Sequence, residues 1–185
     1  TIKFRTVKAN TLLSGRPTKL KIKNGHYPLP NIANVRDTAV ARNGGLIIGR
    51  LQENIDSAKI YGWLTWKKGG DVGKFFATNH FGPSFPLDST REVGKKTKKL
   101  SKGVKATSKK YNNPLAAELT AFKLNLLASK YKIFPDSFAY LKINLNGSIY
   151  NGMSLGSLAS RADSAMTYWQ RDSLLRDTSR AGELK

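Results

Sequence analysis

One serine of this sequence lies in the five-residue pattern that surrounds many nucleophilic serines. Gly152-Met153-Ser154-Leu155-Gly156 matches G-x-S-x-G, in which a sharp turn presents the serine between a buried strand and a helix. The residues before it are short and polar and follow the turn signal Asn146-Gly147, so no buried strand is predicted to lead into Ser154. The sequence favours Ser154 as a helix cap and leaves esterase chemistry as a remote alternative.

Other residues of reactive type lack the spacing that their chemistry needs. Residues 69–75 superficially resemble a phosphate loop, but the spacing is wrong and Phe75 stands where a hydroxyl would hold magnesium, so a glycine turn is the better interpretation. His26 and His80 could supply a general base, because imidazole titrates near neutrality, yet neither has a second metal ligand at a suitable spacing. The sequence predicts no enzyme, no metal and no cofactor; an enzyme using His80 or dispersed carboxylates remains the third hypothesis.

Positive charge is the dominant feature of the composition. The formal net charge is +20, which creates a field that attracts nucleic acid, anionic glycan, lipopolysaccharide or an acidic protein. A lysine-rich run could follow a phosphate or sulfate backbone with strong salt dependence, or it could be a solvated loop. The predicted polyanion-binding or partner-binding residues of this run are Lys95, Lys96, Lys98, Lys99, Lys102, Lys105, Lys109 and Lys110.

Cysteine and long apolar stretches are both missing from the sequence. Without cysteine the protein forms no disulfide and no thiolate metal site, and its redox compartment stays open. Its apolar runs fall far short of the roughly 18 residues of a membrane span, so no membrane span is predicted. The sequence begins Thr-Ile-Lys-Phe-Arg, without Met or a hydrophobic signal core, which suggests mature or excised sequence.

The first half of the sequence contains mainly strand signals. Residues 18–23 alternate polar and apolar types, as a half-buried strand does, and residues 44–49 are a glycine-bounded apolar run typical of a buried strand. Residues 58–66 are rich in aromatic and β-branched types and predict a further strand, which ends at the turn signal Lys67-Lys68-Gly69-Gly70. Residues 34–42 predict a short helix.

Two amphipathic helices are predicted in the second half. Asn113 is a suitable N-cap and Pro114 is tolerated at the first helical position, so one helix is predicted from there to about Tyr131. Its apolar face carries Leu115, Leu119, Phe122 and Leu126. The second helix is predicted to begin at Ser154, with an apolar face of Leu155, Leu158, Ala162, Met166 and Trp169. The two faces are expected to pack on each other.

Together these elements predict an α+β fold with a small β-rich N-terminal half and a C-terminal pair of packed helices. The expected organisation is a β-rich part over residues 1–90, a lysine-rich loop or linker over residues 91–112, and a helical part over residues 113–185. The first and last parts are expected to form one domain, because the length fits a single domain.

Four short segments of the sequence form a distinctive combination: Pro28 to Asp37, the strand Ala58 to Trp63, Asn112 to Leu119 with Lys123 to Asn125, and Asn151 to Ser154. In this order they resemble a tail region of large secreted Bacteroidota proteins, often handled by type IX secretion. The resemblance spans roughly Gly15 to Trp169 and implies a secreted or cell-surface protein. It implies no reaction and no catalytic residue, and the terminal sorting domain of type IX cargo is not visible in this sequence.

Two functional hypotheses follow for this protein. The first is a non-catalytic extracellular structural or interaction module with a protein partner in an extracellular or cell-surface assembly. The second is a polyanion-binding protein that uses its basic surface to bind nucleic acid or acidic glycan. The two hypotheses are compatible, because one basic surface can serve both kinds of partner.

Overall fold

Helices dominate the part of the protein that the computed structural model describes, which comprises residues 20–22, 25–27, 32–53, 61–76, 84, 86–87, 91–93, 96–98, 113–133 and 137–168. Its helices are α1 (Ile32–Arg42), α2 (Gly69–Phe76), α3 (Pro114–Lys130) and α4 (Leu155–Tyr168). Its strands pair antiparallel: β1 (Leu20–Ile22) with β2 (Gly25–Tyr27), β3 (Leu46–Ile48) with β4 (Leu64–Trp66), and β5 (Arg91–Val93) with β6 (Lys96–Lys98). The coarse prediction of a mixed α+β class is therefore confirmed, but strand content is small. The predicted β-rich character of the N-terminal half is not shown, because the described residues of that half also form the helices α1 and α2.

Each of the three strands predicted in the first half contains a strand of the structure. β1 lies within the predicted strand 18–23, and β3 occupies the centre of the glycine-bounded run 44–49. Of the predicted strand 58–66, only the last three residues form β4, residues 61–63 have no regular structure, and residues 58–60 lie outside the described residues. The short helix predicted over 34–42 is confirmed as α1.

The glycine pair Gly69-Gly70 opens α2, so the prediction of a glycine turn over residues 69–75 is wrong, although the chain does bend at residues 67–68 after β4 ends, as the turn signal predicts. Val72, Phe75 and Phe76 are buried at helical spacing on one face of α2. A Cβ atom on Gly69 would lie 2.5 Å from the Cα of Asp37 on α1. Glycine is therefore required at this position by the close approach of the two helices, rather than by a turn.

The core is centred on β3, β4 and α2. Trp66 at the end of β4 is fully buried, and its ring lies 5.1 Å from that of Phe75, centroid to centroid. Trp63 is also buried, so the prediction that Trp63 and Trp66 belong to the core is confirmed; Trp169 lies outside the described residues. Helices α3 and α4 add to this core the buried side chains of Ala116, Ala117, Leu119, Ala121, Leu124 and Met166.

The N-terminus of α3 is capped as the sequence predicts. The N–H of Ala116 donates to the Asn113 side-chain oxygen at 3.2 Å, and Pro114 occupies the first turn. The predicted apolar face is only partly correct, because Leu119 is buried whereas Leu115, Phe122 and Leu126 are half-buried. The most buried positions carry small side chains, which let α1, β3 and α4 approach the α3 backbone closely.

A short hairpin, residues 141–154, leads into α4. The N–H of Ile143 donates to the Met153 carbonyl at 2.9 Å, and the N–H of Gly152 donates to the Ile143 carbonyl at 2.8 Å. The predicted turn at Asn146-Gly147 is confirmed by the N–H of Ser148, which donates to the Leu145 carbonyl at 3.1 Å. Ser154 forms an isolated β-bridge with Lys142. Within residues 137–153 no strand precedes Ser154.

Candidate functional site

A buried ion pair joins the two long helices to the end of β3. Lys123 of α3 donates to the Asp163 carboxylate of α4 and, at 2.5 Å, to the carbonyl of Ile47. The other Asp163 oxygen accepts the N–H of Gly49 at 2.9 Å. The side chains of Lys123 and Asp163 are 19% and 10% exposed. Both charged groups are therefore used in joining three segments of the protein.

Burial shifts the pKa of the Asp163 carboxyl from its ordinary value. Burial raises its pKa above 3.8, and this effect outweighs the opposing effects of Lys123, the Gly49 N–H and Arg50. The Asp163 carboxyl therefore binds its proton more tightly in the folded protein than in the unfolded protein. The arrangement is that of a structural pair whose stability contribution depends on pH.

Further polar side chains of α4 hold the segment that follows β3. The Thr167 hydroxyl donates to the Gly62 carbonyl at 3.1 Å and accepts the N–H of Arg50 at 2.8 Å. The Arg50 guanidinium donates to Ser164 at 2.9 Å and to the side chain of Ser160 at 2.6 Å. Buried and half-exposed polar groups on this side of α4 thus make structural contacts with the neighbouring backbone.

A shallow pocket of about 420 Å³ lies at the N-terminus of α2 and contains three lysines. Lys67 and Lys68 precede the helix and Lys74 lies in its last turn; all three are exposed. Two carboxylates share the pocket: Asp37 pairs with Arg36 at 2.8 Å, and Asp71 pairs with Lys74 at 3.5 Å. We call Lys67, Lys68 and Lys74 the lysine pocket.

Lys67 and Lys68 of the lysine pocket differ in electrostatic setting from Lys74 and from the exposed basic residues of two other helices. Arg42, Lys130 and Lys132 lie at the C-terminal ends of α1 and α3, where cations are favoured by the helix dipole. Lys67 and Lys68 precede the N-terminus of α2, where the partial positive charge of the helix adds to their own. The helix dipole therefore favours Arg42, Lys130 and Lys132 at their positions and disfavours Lys67 and Lys68 at theirs.

A second candidate surface comprises exposed apolar and basic side chains of the hairpin and of the segments on either side of it. Tyr140, Leu145 and Ile149 are 79%, 57% and 50% exposed, and Leu51 is the other large apolar residue exposed within the described residues. Lys142 is exposed, and the Arg161 guanidinium lies 5.9 Å from the centroid of the Tyr150 ring. Residues 137–162 contain no acidic residue. We call Tyr140, Lys142, Leu145, Ile149 and Arg161 the hairpin surface.

The predicted lysine-rich site falls mostly outside the described residues. Lys96 and Lys98 lie in β6, in register with Val93 and Arg91 of β5. The remaining predicted members, Lys95, Lys99, Lys102, Lys105, Lys109 and Lys110, lie outside the described residues. The role of this run as a polyanion-binding or partner-binding site stays a prediction.

The structure places two of the candidate reactive residues, Ser154 and His26, in separate elements. Ser154 accepts the N–H of Ser157 at 3.1 Å, which confirms it as the N-cap of α4. His26 lies in β2, and His80 lies outside the described residues. The segment 69–75, considered as a phosphate loop, is helix α2.

Sequence patterns did not indicate Lys123 and Asp163 as a pair. The two residues are separated by 40 positions, and each lies in an amphipathic helix where a charged residue is expected on the solvent face. The sequence signal that could have indicated a buried charge was the position of Asp163. It lies four residues after the buried Ala159 and three before the buried Met166, which is the spacing of one helix face.

Within the described ranges there is no group of three metal-ligating side chains. No helix in that part of the protein is long and apolar enough to cross a membrane. No known protein family, curated protein or solved structure matches the sequence.

Proposed function

We propose that the protein is a non-catalytic interaction module of an extracellular or cell-surface assembly, and that it binds an acidic protein partner. The hairpin surface is the observation that carries this proposal. Large apolar side chains are costly to expose and are typical of protein interfaces when they occur close together with basic or aromatic residues. The extracellular setting rests on the resemblance of the sequence to secreted tail regions.

The charges of the hairpin surface favour an acidic partner over a basic or neutral one. Lys142 and Arg161 are the charged residues between Ser137 and Ala162. An interface that buries Leu145 and Ile149 needs apolar side chains on the partner, whereas Lys142 and Arg161 need carboxylates there. The partner class is therefore an acidic protein segment with interspersed apolar residues.

A synthetic peptide of alternating glutamate and leucine tests this proposal. We expect the protein to bind this peptide, and the double substitution Leu145→Ser with Ile149→Ser to weaken binding by on the order of tenfold, a loss of about 1.4 kcal/mol. Fluorescence anisotropy of a labelled peptide measures both affinities. Poly-glutamate is the matched probe, since its binding should not change with the serine substitutions. Equal binding of the peptide by the wild type and the double variant would contradict the proposal.

The lysine pocket favours a second function, the binding of nucleic acid or acidic glycan. Substitution of Lys67, Lys68 and Lys74 by glutamine is expected to weaken binding to heparin or duplex DNA and to reduce its salt dependence, because fewer counterions are released. Substitution of Arg42, Lys130 and Lys132 by glutamine removes the same charge at positions outside both candidate surfaces and serves as the control. Substitution of the eight predicted lysines of residues 95–110 forms the third variant. The function is rejected when no variant changes the affinity or when no saturable, salt-sensitive binding occurs.

A further inference from the structure

Asn-Gly pairs are chemically reactive, and three of them lie in described turns. Asn43-Gly44 follows α1, while Asn146-Gly147 and Asn151-Gly152 lie in the hairpin. In such a pair the backbone nitrogen of the glycine can attack the amide carbon of the asparagine side group. The reaction needs both the glycine N–H and the asparagine amide to be free of other bonds, so the structure distinguishes the three pairs.

Two of the three pairs are held at both reacting groups. In Asn43-Gly44, the asparagine donates to the Gly45 carbonyl at 2.9 Å and accepts from the Tyr131 hydroxyl at 3.1 Å, while the Gly44 N–H donates to Ala41 at 3.1 Å. In Asn151-Gly152, the asparagine oxygen accepts the Leu145 N–H at 2.9 Å, and the Gly152 N–H donates to Ile143 at 2.8 Å. Attack requires these hydrogen bonds to break first.

Asn146-Gly147 lacks such bonds. Among the described residues, no hydrogen bond involves the Asn146 amide group or the Gly147 N–H. Asn146 and Gly147 are both exposed, and Gly147 has a φ of 81°, so its turn position favours glycine. The reacting nitrogen and the amide carbon therefore belong to one exposed turn that leaves both groups unrestrained.

We propose that Asn146 is a site of spontaneous deamidation. The Gly147 nitrogen forms a bond to the amide carbon of Asn146 as the N–H proton passes to solvent, and the bond between that carbon and the amide nitrogen of Asn146 breaks to release ammonia. The resulting cyclic imide is opened by water to aspartate or isoaspartate. The product introduces a carboxylate between Leu145 and Ile149; an effect on partner binding would rest on the proposed function, whereas the modification itself does not.

Peptide mapping by mass spectrometry tests the proposal on the full protein incubated at mildly alkaline pH. Each hydrogen bond slows the attack by about fivefold, so the two bonds at Asn151-Gly152 slow it by on the order of ten- to thirtyfold and the three at Asn43-Gly44 slow it further. We expect Asn146 to convert faster than Asn43 and Asn151 by at least on the order of tenfold in the folded protein, and the three rates to come close together in guanidinium chloride. Equal rates in the folded protein, or faster conversion at Asn43 or Asn151, would overturn the proposal.

A variant tests the physical reason for the difference. Tyr131→Phe removes the hydroxyl that donates to Asn43 and leaves the hairpin sequence unchanged. We expect deamidation at Asn43 to accelerate by about fivefold, the equivalent of one hydrogen bond, with no change at Asn146. An unchanged rate at Asn43 would show that hydrogen bonding does not set the order, and the proposal would lose its basis.

Discussion

Substitution of Lys123 by methionine is expected to lower the free energy of unfolding by about 3 kcal/mol at neutral pH. Methionine fills a similar volume but leaves the Asp163 carboxylate buried without its cation, and it leaves the Ile47 carbonyl without this donor. Removal of one partner of a buried pair costs more than the pair itself contributes, because the remaining charge is left uncompensated. Urea unfolding followed by circular dichroism measures the change.

The loss in the Lys123→Met variant should depend on pH in a definite direction. Burial already raises the pKa of Asp163, and loss of the Lys123 ammonium removes a group that lowers it. A carboxyl whose pKa is higher in the folded than in the unfolded state contributes stability at low pH, which is lost as the pH rises through its folded pKa. We therefore expect the deficit to be largest at neutral pH and to narrow as the pH falls toward about 4.

Two further variants are controls for the buried pair. Lys123→Met combined with Asp163→Asn should recover part of the stability at neutral pH, because the amide is neutral and its oxygen can still accept the Gly49 N–H. Lys74→Met removes an exposed lysine and should change stability by less than about 1 kcal/mol. A deficit for Lys123→Met that is equal at neutral and acidic pH would contradict the assignment of Asp163 as its cause.

Local features of the fold could be predicted from the sequence, whereas the contacts between distant elements could not. Asn113 and Ser154 were recognisable as caps because each provides an oxygen within three residues of a free backbone N–H. β3 was recognisable because its apolar residues lie between glycines that end the strand. These signals act within a few residues and are therefore present in the sequence itself.

The start of α2 shows why a local signal can give the wrong element. Two consecutive glycines usually mark a turn, because glycine lowers helix stability. Here Gly69 is needed for close contact with Asp37 of α1, a requirement that comes from tertiary packing. The Lys123–Asp163 pair has the same origin, because the burial that defines it exists only once α3, α4 and β3 are packed together.

The sequence predicted that the binding surface is basic, but it did not indicate the positions of the two candidate surfaces. The net charge of +20 indicated an acidic partner, and the lysine-rich run was the place where the sequence predicted binding. The hairpin surface is distinguished by exposed apolar side chains, and exposure depends on which side chains the folded protein leaves uncovered. Leu145 and Ile149 look like core residues in the sequence, and only their exposed positions in the hairpin nominate them for binding.

Substitution of Trp66 by alanine is expected to cost about 4 kcal/mol of unfolding free energy. Trp66 is fully buried at the end of β4, and its ring packs against that of Phe75 on α2. Alanine would leave a cavity between the strand pair and α2 that the surrounding backbone can fill only in part. Urea unfolding at neutral pH measures the loss, with circular dichroism as the signal because it does not depend on tryptophan fluorescence.

The controls for Trp66 separate loss of the core from loss of an aromatic ring. Trp66→Phe keeps a ring against Phe75 and should cost clearly less than Trp66→Ala, since most of the cavity is filled. Tyr140→Ala removes an aromatic residue that is 79% exposed, and its effect should stay within about 0.5 kcal/mol. Equal losses for Trp66→Ala and Tyr140→Ala would mean that Trp66 does not belong to the core. A large loss for Trp66→Ala alone would place the main stabilising contact of the first half at the junction of β4 and α2.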